Sequence, residues 1–416
     1  VEEVLVEADV ERCEVDWAAT DDRAGFVALR EQVALKREVG PVPVGVDVLV
    51  VADPSNMAWL TGYDGWSFYV HQAVLVFHDQ DPIWWGREQD ANGARRRVYM
   101  ADDRIIGYPE IFVQANDRHP MDHLGTVLSE RGFSTGRIGL ELENYYFSAA
   151  AYLALNKALP DAKGVDATGL VNWQRGRKSP AEIVFMRRAA RIVERMMRAA
   201  MDKIEVGLPK NEMVAEIYRV GIEGAAEADG AKFGGDYPAI APLLPSGTDA
   251  AAPHLTWDDR PFKEGEGTFF EIAGCYWRYH APLCRTVFLG TPPPNIRDAE
   301  SALIEGLEAG IDKARAGNRA CDVANALAAV LKRHDIERTA RCGYPIGLSY
   351  PPDWGERTIS FRESDQTILE PGMTFHFMPG LWMDDWGLEI TESILIKEDG
   401  PAECLANYPR EIFVKD

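Results

Sequence analysis

Apolar positions along the chain follow two periods, one near 3.6 residues and one near 2, and the places where they switch predict the elements. From Arg23 to Glu38, Phe26, Leu29, Val33 and Leu35 recur near helical spacing. Val46–Ala52 is a dense β-branched run that reads as a buried strand, ended by Asp53-Pro54. His71–Phe77, Pro82–Trp85 and Arg137–Glu141 read as further strands, and Arg87–Met100 and Pro120–Arg131 as helices. Short apolar strands alternating with helices predict a mixed α/β domain over residues 23–177. Residues 1–22 are acidic, lack turn residues and are expected to form a leader.

The pattern changes at Lys178. Ser179 can cap a helix that has Pro180 at its first position and Glu182 three residues on, the signature of a capping box. A long helix should follow, with Ile183, Met186, Ala190 and Val193 on its buried stripe. Helices are expected again at 209–226, 297–315 and 321–334. Strands are expected at Thr268–Ala273, Arg285–Leu289, Met373–Met378 and Leu388–Ile396. The fold class is therefore α/β (α+β), with a second domain over 178–416.

Length agrees, since 416 residues exceed what one simple core organises. Charge narrows the partners: 44 Lys and Arg against 66 Asp and Glu leave a net charge of −22. Such a field repels phosphate backbones and anionic lipid heads, so neither nucleic acid nor a membrane surface is an expected partner. Six cysteines (Cys13, Cys275, Cys284, Cys321, Cys342, Cys404) show no CxxC spacing and suit a reducing compartment. No apolar run approaches the roughly 20 residues of a membrane helix, and Val1-Glu2-Glu3 is acidic where a signal peptide would be basic. The expectation is a soluble cytoplasmic protein.

Candidate chemistry centres on Thr268–Ala273, where Glu271 is the one charge in an apolar run and shares a face with Phe269 and Ala273. A carboxylate so placed must be paired, hydrogen-bonded or protonated. It is either tied to a nearby cation such as Arg285 or a perturbed carboxylate in a cleft. His254 lies seventeen residues upstream. The aromatic stretch Trp382–Trp386 leads to Glu389 and Glu392, and Tyr344, Tyr350 and Trp354 precede it in a Pro- and Gly-rich loop. Clustered aromatics pack locally or cage a small cation. Trp66, Tyr69 and His71, in a stretch dense in polar aromatics, read as a lid or a domain interface.

The order of the pieces resembles the pita-bread superfamily of methionine aminopeptidase, proline aminopeptidase, prolidase and creatinase. Lys178–Ile183 with Met186–Ala189, Gly343–Gly347, Pro371-Gly372-Met373 and Glu392 carry the resemblance. It implies a creatinase-like N-terminal α/β domain before a C-terminal pita-bread domain. Metal-dependent members use two Asp, one His and two Glu. At the matching positions this chain has Glu271, Pro282, Tyr344, Met378 and Glu392, so the resemblance implies the fold without the metal and without a cofactor. His254 falls where the family keeps a substrate-side His that moves protons in creatinase. Longer blocks, among them Pro253–Asp258, Phe270–Cys275, Ser349–Glu356 and Trp382–Gly387, resemble a branch that opens small cyclic amidines. That resemblance implies a homodimer paired functionally with a deacetylase. In this reading Glu271 is nucleophile or base and His254 shuttles the proton. Glu392 and Glu389 hold the amidinium or orient His254, with a strand-end salt bridge the alternative for Glu392, and Tyr344, Trp354 and Trp382 are walls. Arg285 binds the substrate's carboxylate or neutralises Glu271. A creatinase-like amidinohydrolase, a metal-dependent Xaa-Pro peptidase and a non-catalytic binding module are the alternatives.

Overall fold

The computed structural model describes residues 45–415. The expected leader (1–22) and the expected helix Arg23–Glu38 lie outside the described residues. Contacts divide the chain into two compact units. Of the described residues, the first holds 45–51, Leu60–Gly139 and Ser148–Val165; the second holds Ala52–Trp59, Leu140–Phe147 and 166–415.

The first unit is built on β1 (Val48–Val51), β2 (Ala73–Phe77), β3 (Ile83–Arg87), β4 (Ile105–Tyr108), β5 (Arg137–Leu140) and β6 (Lys163–Asp166), in the order β4-β3-β2-β1-β5-β6. β1, β2 and β3 pair antiparallel, while β3 and β4 pair parallel, so the sheet is mixed. Every residue of β1 and β2 is buried, which is why both read as unbroken apolar runs rather than alternating ones. One element was not foreseen: the chain does not simply turn after β1 but enters α1 (Pro54–Thr61). Asp53 starts it, its Oδ1 accepting the Ser55 amide at 2.7 Å, with Pro54 at the first helical position.

In the second unit, α2 (Pro180–Lys203) begins at the expected capping box. The Ser179 side chain accepts from the Glu182 amide, and Glu182 Oε2 accepts the Ser179 amide at 2.9 Å. Its buried stripe includes the expected Met186, Ala190 and Val193 and adds Phe185, Ala189, Ile192 and Met196, while the expected Ile183 is only half-buried. The expected helix 209–226 stops as α3 (Lys210–Glu223), because Gly224 adopts φ +78° and the next two residues pair as a strand with Lys232–Phe233. The expected strand Leu388–Ile396 is two pieces, Gly387–Leu388 and Glu392–Leu395, with Glu389–Thr391 between them. Among the described residues, no helix is long and apolar enough to cross a membrane.

The centre of this unit is an antiparallel hairpin of β7 (Gly267–Tyr276) and β8 (Tyr279–Leu289). Trp277 and Arg278 close it with φ of 47° and 65°, a turn that matches the right-handed twist of the strands. α2 lies against one face of the hairpin and needs Gly274 to do so: a Cβ there would sit 2.0 Å from the Ala189 carbonyl and 2.7 Å from the Val193 amide. Gly274→Ala should therefore lower stability by about 1–3 kcal/mol. Urea denaturation checks this, and an unchanged midpoint would show that helix and hairpin can separate freely.

Candidate active site

The hairpin's register sorts its charges onto two faces. Directly opposed residues of an antiparallel pair share a face, and successive residues alternate. Glu271 opposes Cys284, and Phe270 opposes Arg285. Because Gly274 meets α2, Phe270 and Arg285 lie on the helix side and Glu271 and Cys284 on the other. The expected pairing of Glu271 with Arg285 is thereby excluded. Arg285 donates instead to Glu392 Oε1 at 2.7 Å and to the carbonyls of Cys284, Thr391, Pro409 and Tyr408. Arg410 donates to the same Glu392 oxygen at 2.9 Å. Glu392 is thus held in an ion-pair network, the salt bridge that was the alternative reading for it.

Glu271 sits deep on the other face, its backbone paired with Leu243 at 3.0 and 3.1 Å. Glu389 comes to it from the gap between the two short strands. There the Thr286 hydroxyl donates to the Glu389 carbonyl at 2.9 Å and accepts its amide at 3.0 Å. Neither oxygen of the Glu389 side chain receives an N–H or O–H donor among the described residues. Burial and the Glu389 charge push Glu271 well above the usual carboxylate range, and burial pushes Glu389 up to about 7 against the pull of Cys284 and Arg338. Two coupled carboxyls in an apolar setting keep a proton between them. Glu271 retains 7 % of its surface and Glu389 none, so Glu271 is the one a substrate can reach.

Aromatic side chains close this face. Trp382 packs with Phe269, Cys284 and Ala250, and its buried Nε1 has no partner among the described residues. Trp354 Nε1 donates to the Tyr344 hydroxyl at 2.7 Å, and that hydroxyl lies 3.0 Å from His376 Nδ1. His376 Nε2 is 2.8 Å from Thr391 Oγ1, which also accepts the Cys284 amide at 2.8 Å. The structure thus brings Glu271, Glu389, Tyr344, Trp354 and Trp382 together. Cys284, His376 and Thr391 belong with them and were not foreseen, because only the register shows Cys284 opposite Glu271. His376 carried a signal, a lone His in the apolar strand Thr374–Phe377. His254 lies in an exposed turn after the short helical segment Gly247–Ala251, four residues beyond Ala250 and so within about 14 Å of it. Trp66, Tyr69 and His71 belong to the first unit. Trp66 and Tyr69 are exposed there, and the His71 ring lies 4.7 Å from that of His119 beside a cavity of about 170 Å³.

Comparison with known proteins gives this arrangement its kin. Residues 184–398 match the model of metallopeptidase family M24, and residues 44–176 match the creatinase/prolidase N-terminal domain. The chain belongs to metallopeptidase family M24. It is 62 % identical to the ectoine hydrolase of Halomonas elongata over 373 residues, 89 % of this chain and 93 % of that protein. It is 41 % identical to an uncharacterised hydrolase/peptidase of Sinorhizobium fredii over 372 residues, again 89 % and 93 %. Among solved structures, a prolidase from Thermococcus sibiricus superposes with a TM-score of 0.76 at 17 % identity, covering 95 % of this chain and all of that one, which shows the shared pita-bread fold.

The M24 family implies a metal, and the donor set here does not fit one. Pro282 and Met378 offer no hard ligand, Tyr344 is committed to Trp354 and His376, and Glu392 Oε1 is held by two guanidinium groups. Among the described residues, no group of three or more His, Cys, Asp or Glu could hold a metal ion. What the site offers instead is a carboxyl pair that carries a proton near neutral pH. The sign of its effect on stability follows. A carboxyl raised from its ordinary 4.5 to about 7 binds a proton in the folded state that the unfolded chain has lost, so stability falls as pH rises through that window. Glu271, raised by the same burial, keeps part of that fall, so Glu389→Gln should make it shallower by up to about 3 kcal/mol between pH 4.5 and 7. Denaturation midpoints across this range check it, and parallel pH profiles for the two proteins would contradict it.

Proposed function

We propose that this protein hydrolyses ectoine, opening its cyclic amidine ring to N-acetyl-L-2,4-diaminobutyrate without a metal. The 62 % identity to a named ectoine hydrolase over most of both chains carries the reading. The site's chemistry supports it. Ectoine is a compact zwitterion, an amidinium ring bearing a carboxylate. Its C2 is bonded to two nitrogens that share a positive charge, so it is electrophilic without a Lewis acid. A buried carboxyl pair to which no cation is hydrogen-bonded among the described residues is matched to an amidinium, whose arrival stabilises the ionised form of Glu271.

Glu271 then acts on C2, as nucleophile or as the base that takes a proton from water as the new C–O bond forms. The amidinium's π pair withdraws onto one ring nitrogen, and the C2–N bond breaks as that nitrogen is protonated. Over the whole reaction both protons of the water finish on the leaving nitrogen, which departs as an ammonium, and the oxygen stays as the acetamide carbonyl. Glu271 and His254 carry those protons. An imidazole can both take and give a proton, and the Gly247–Ala251 segment that precedes His254 rests on the site through Ala250. Trp354 and Trp382 wall the ring, while Glu392 and Arg285 act as structure. Trp66, Tyr69 and His71 are candidates for a lid over the site of the partner subunit. The protein in this reading is a cytoplasmic homodimer, accepts 5-hydroxyectoine only if the added hydroxyl finds a partner, and feeds a deacetylase.

Proton NMR of ectoine with purified protein, with and without prior chelator treatment, tests the proposal. Equal conversion to the acetylated diaminobutyrate is expected in both. Conversion only without chelator would overturn the metal-free mechanism, and none in either would overturn the substrate. Glu271→Gln and His254→Ala should each lose about 10²–10⁴-fold in kcat while remaining folded. Near-normal turnover would remove that residue from the mechanism.

A further inference from the structure

The buried chain of hydrogen bonds behind Tyr344 has a direction, and the direction assigns its hydroxyl a task. An indole N–H can only donate, so Trp354 occupies one lone pair of the Tyr344 oxygen. The far end is fixed as well, because the Cys284 backbone amide can only donate to Thr391 Oγ1. Between these ends stands His376, whose ring is fully buried and held neutral by burial and by the Arg341 charge.

Two proton arrangements satisfy the distances. In one, Tyr344 gives its proton to His376 Nδ1 and Nε2–H donates to Thr391. The Thr391 oxygen then accepts twice, and its own buried hydroxyl proton has no other partner among the described residues. In the other, Thr391 donates to Nε2, so His376 carries its hydrogen on Nδ1 and donates it to Tyr344. The proton left over is then that of Tyr344, which keeps 8 % of its surface, whereas Thr391 keeps none. A donor without a partner costs most where nothing can reach it, and only the Tyr344 hydroxyl belongs to a residue with surface left, so the second arrangement holds.

Its consequence lies at Tyr344. Trp354 and His376 fill both lone pairs of the oxygen, which turns the phenolic O–H away from the network. The charge that acts most strongly on this hydroxyl is that of Glu271. No hydrogen bond joins the two directly among the described residues, so the donor is left for something that arrives. We propose that the Tyr344 O–H is a preorganised donor to the oxygen that Glu271 delivers to, or activates at, the amidine carbon. This makes Tyr344 a catalytic residue, with His376 and Thr391 as positioning residues. The inference rests on the amidine-hydrolysis reading above. Tyr344 keeps its proton throughout, so the proton count of the reaction is unchanged, and burial keeps the hydroxyl protonated. The position that offers an imidazole ligand in metal-dependent relatives offers an O–H here.

Two measurements decide it. Long-range proton–nitrogen correlation spectra of ¹⁵N-histidine-labelled protein, with His376 assigned by its loss in His376→Gln, report the tautomer without substrate. A hydrogen on Nδ1 is expected; a hydrogen on Nε2 would overturn the proposal. With ectoine as substrate, Tyr344→Phe should lower kcat by about 10²–10³-fold with KM within about threefold, the loss typical of one such donor. Undiminished kcat would overturn it. Thr391→Val should lose both the Nδ1–H signal and kcat, and Thr391→Ser should retain both. If the wild-type protein does not convert ectoine, the substrate reading fails, while the histidine spectrum still decides which way the hydroxyl points.

Discussion

Two coupled carboxyls, Glu271 and Glu389, are buried on an apolar hairpin face with no cation hydrogen-bonded to either among the described residues. The cost of ionising both in that setting is the constraint on which the rest of the site depends. It keeps a proton in the pair near neutral pH. It makes the place hospitable to a planar cation and inhospitable to an anion. It also makes the pair act as a unit, so that a change at Glu389 is felt at Glu271.

The fold enforces that constraint through register. A one-residue slip of β8 against β7 would carry Arg285 to the Glu271 face and neutralise the pair. Instead Arg285 is tied on the helix side to Glu392, which Arg410 also holds, and four backbone carbonyls fix its guanidinium. Gly274 admits the α2 backbone so closely that the hairpin cannot roll to exchange its faces. Strong ion pairing on one face and its absence on the other are two results of one strand alignment. The Trp354–Tyr344–His376–Thr391 chain then fastens the wall opposite Glu271 to the Cys284 backbone, so wall and floor hold one geometry.

Much of this was legible in the amino-acid sequence, and what was not has a physical reason. The capping box at Ser179 and the apolar run around Glu271 are local signals, and both appear where periodicity and capping chemistry put them. Helix α1 escaped because Asp53-Pro54 reads equally well as a strand stop and as a helix start; the choice turns on Asp53 Oδ1 reaching the Ser55 amide. The break at Glu389–Thr391 escaped because its cause is Thr286, 103 residues away. The choice between Arg285 as a partner for Glu271 and a perturbed carboxylate in a cleft stayed open for the same kind of reason, since facing residues depend on register and register is not local. The ligand positions of the family were readable as a pattern. That Tyr344 is locked between Trp354 and His376 could be seen only once three separate stretches of chain had met.

The most direct test of the central claim is the protonation of the pair itself. Infrared difference spectra in the carboxylic C=O region, recorded at pH 6 for the wild-type protein, Glu271→Gln and Glu389→Gln, measure it without substrate. The wild-type protein should show the band of a buried protonated carboxyl that shifts or disappears in each variant. A spectrum with no such band, both carboxylates ionised at pH 6, would contradict the account.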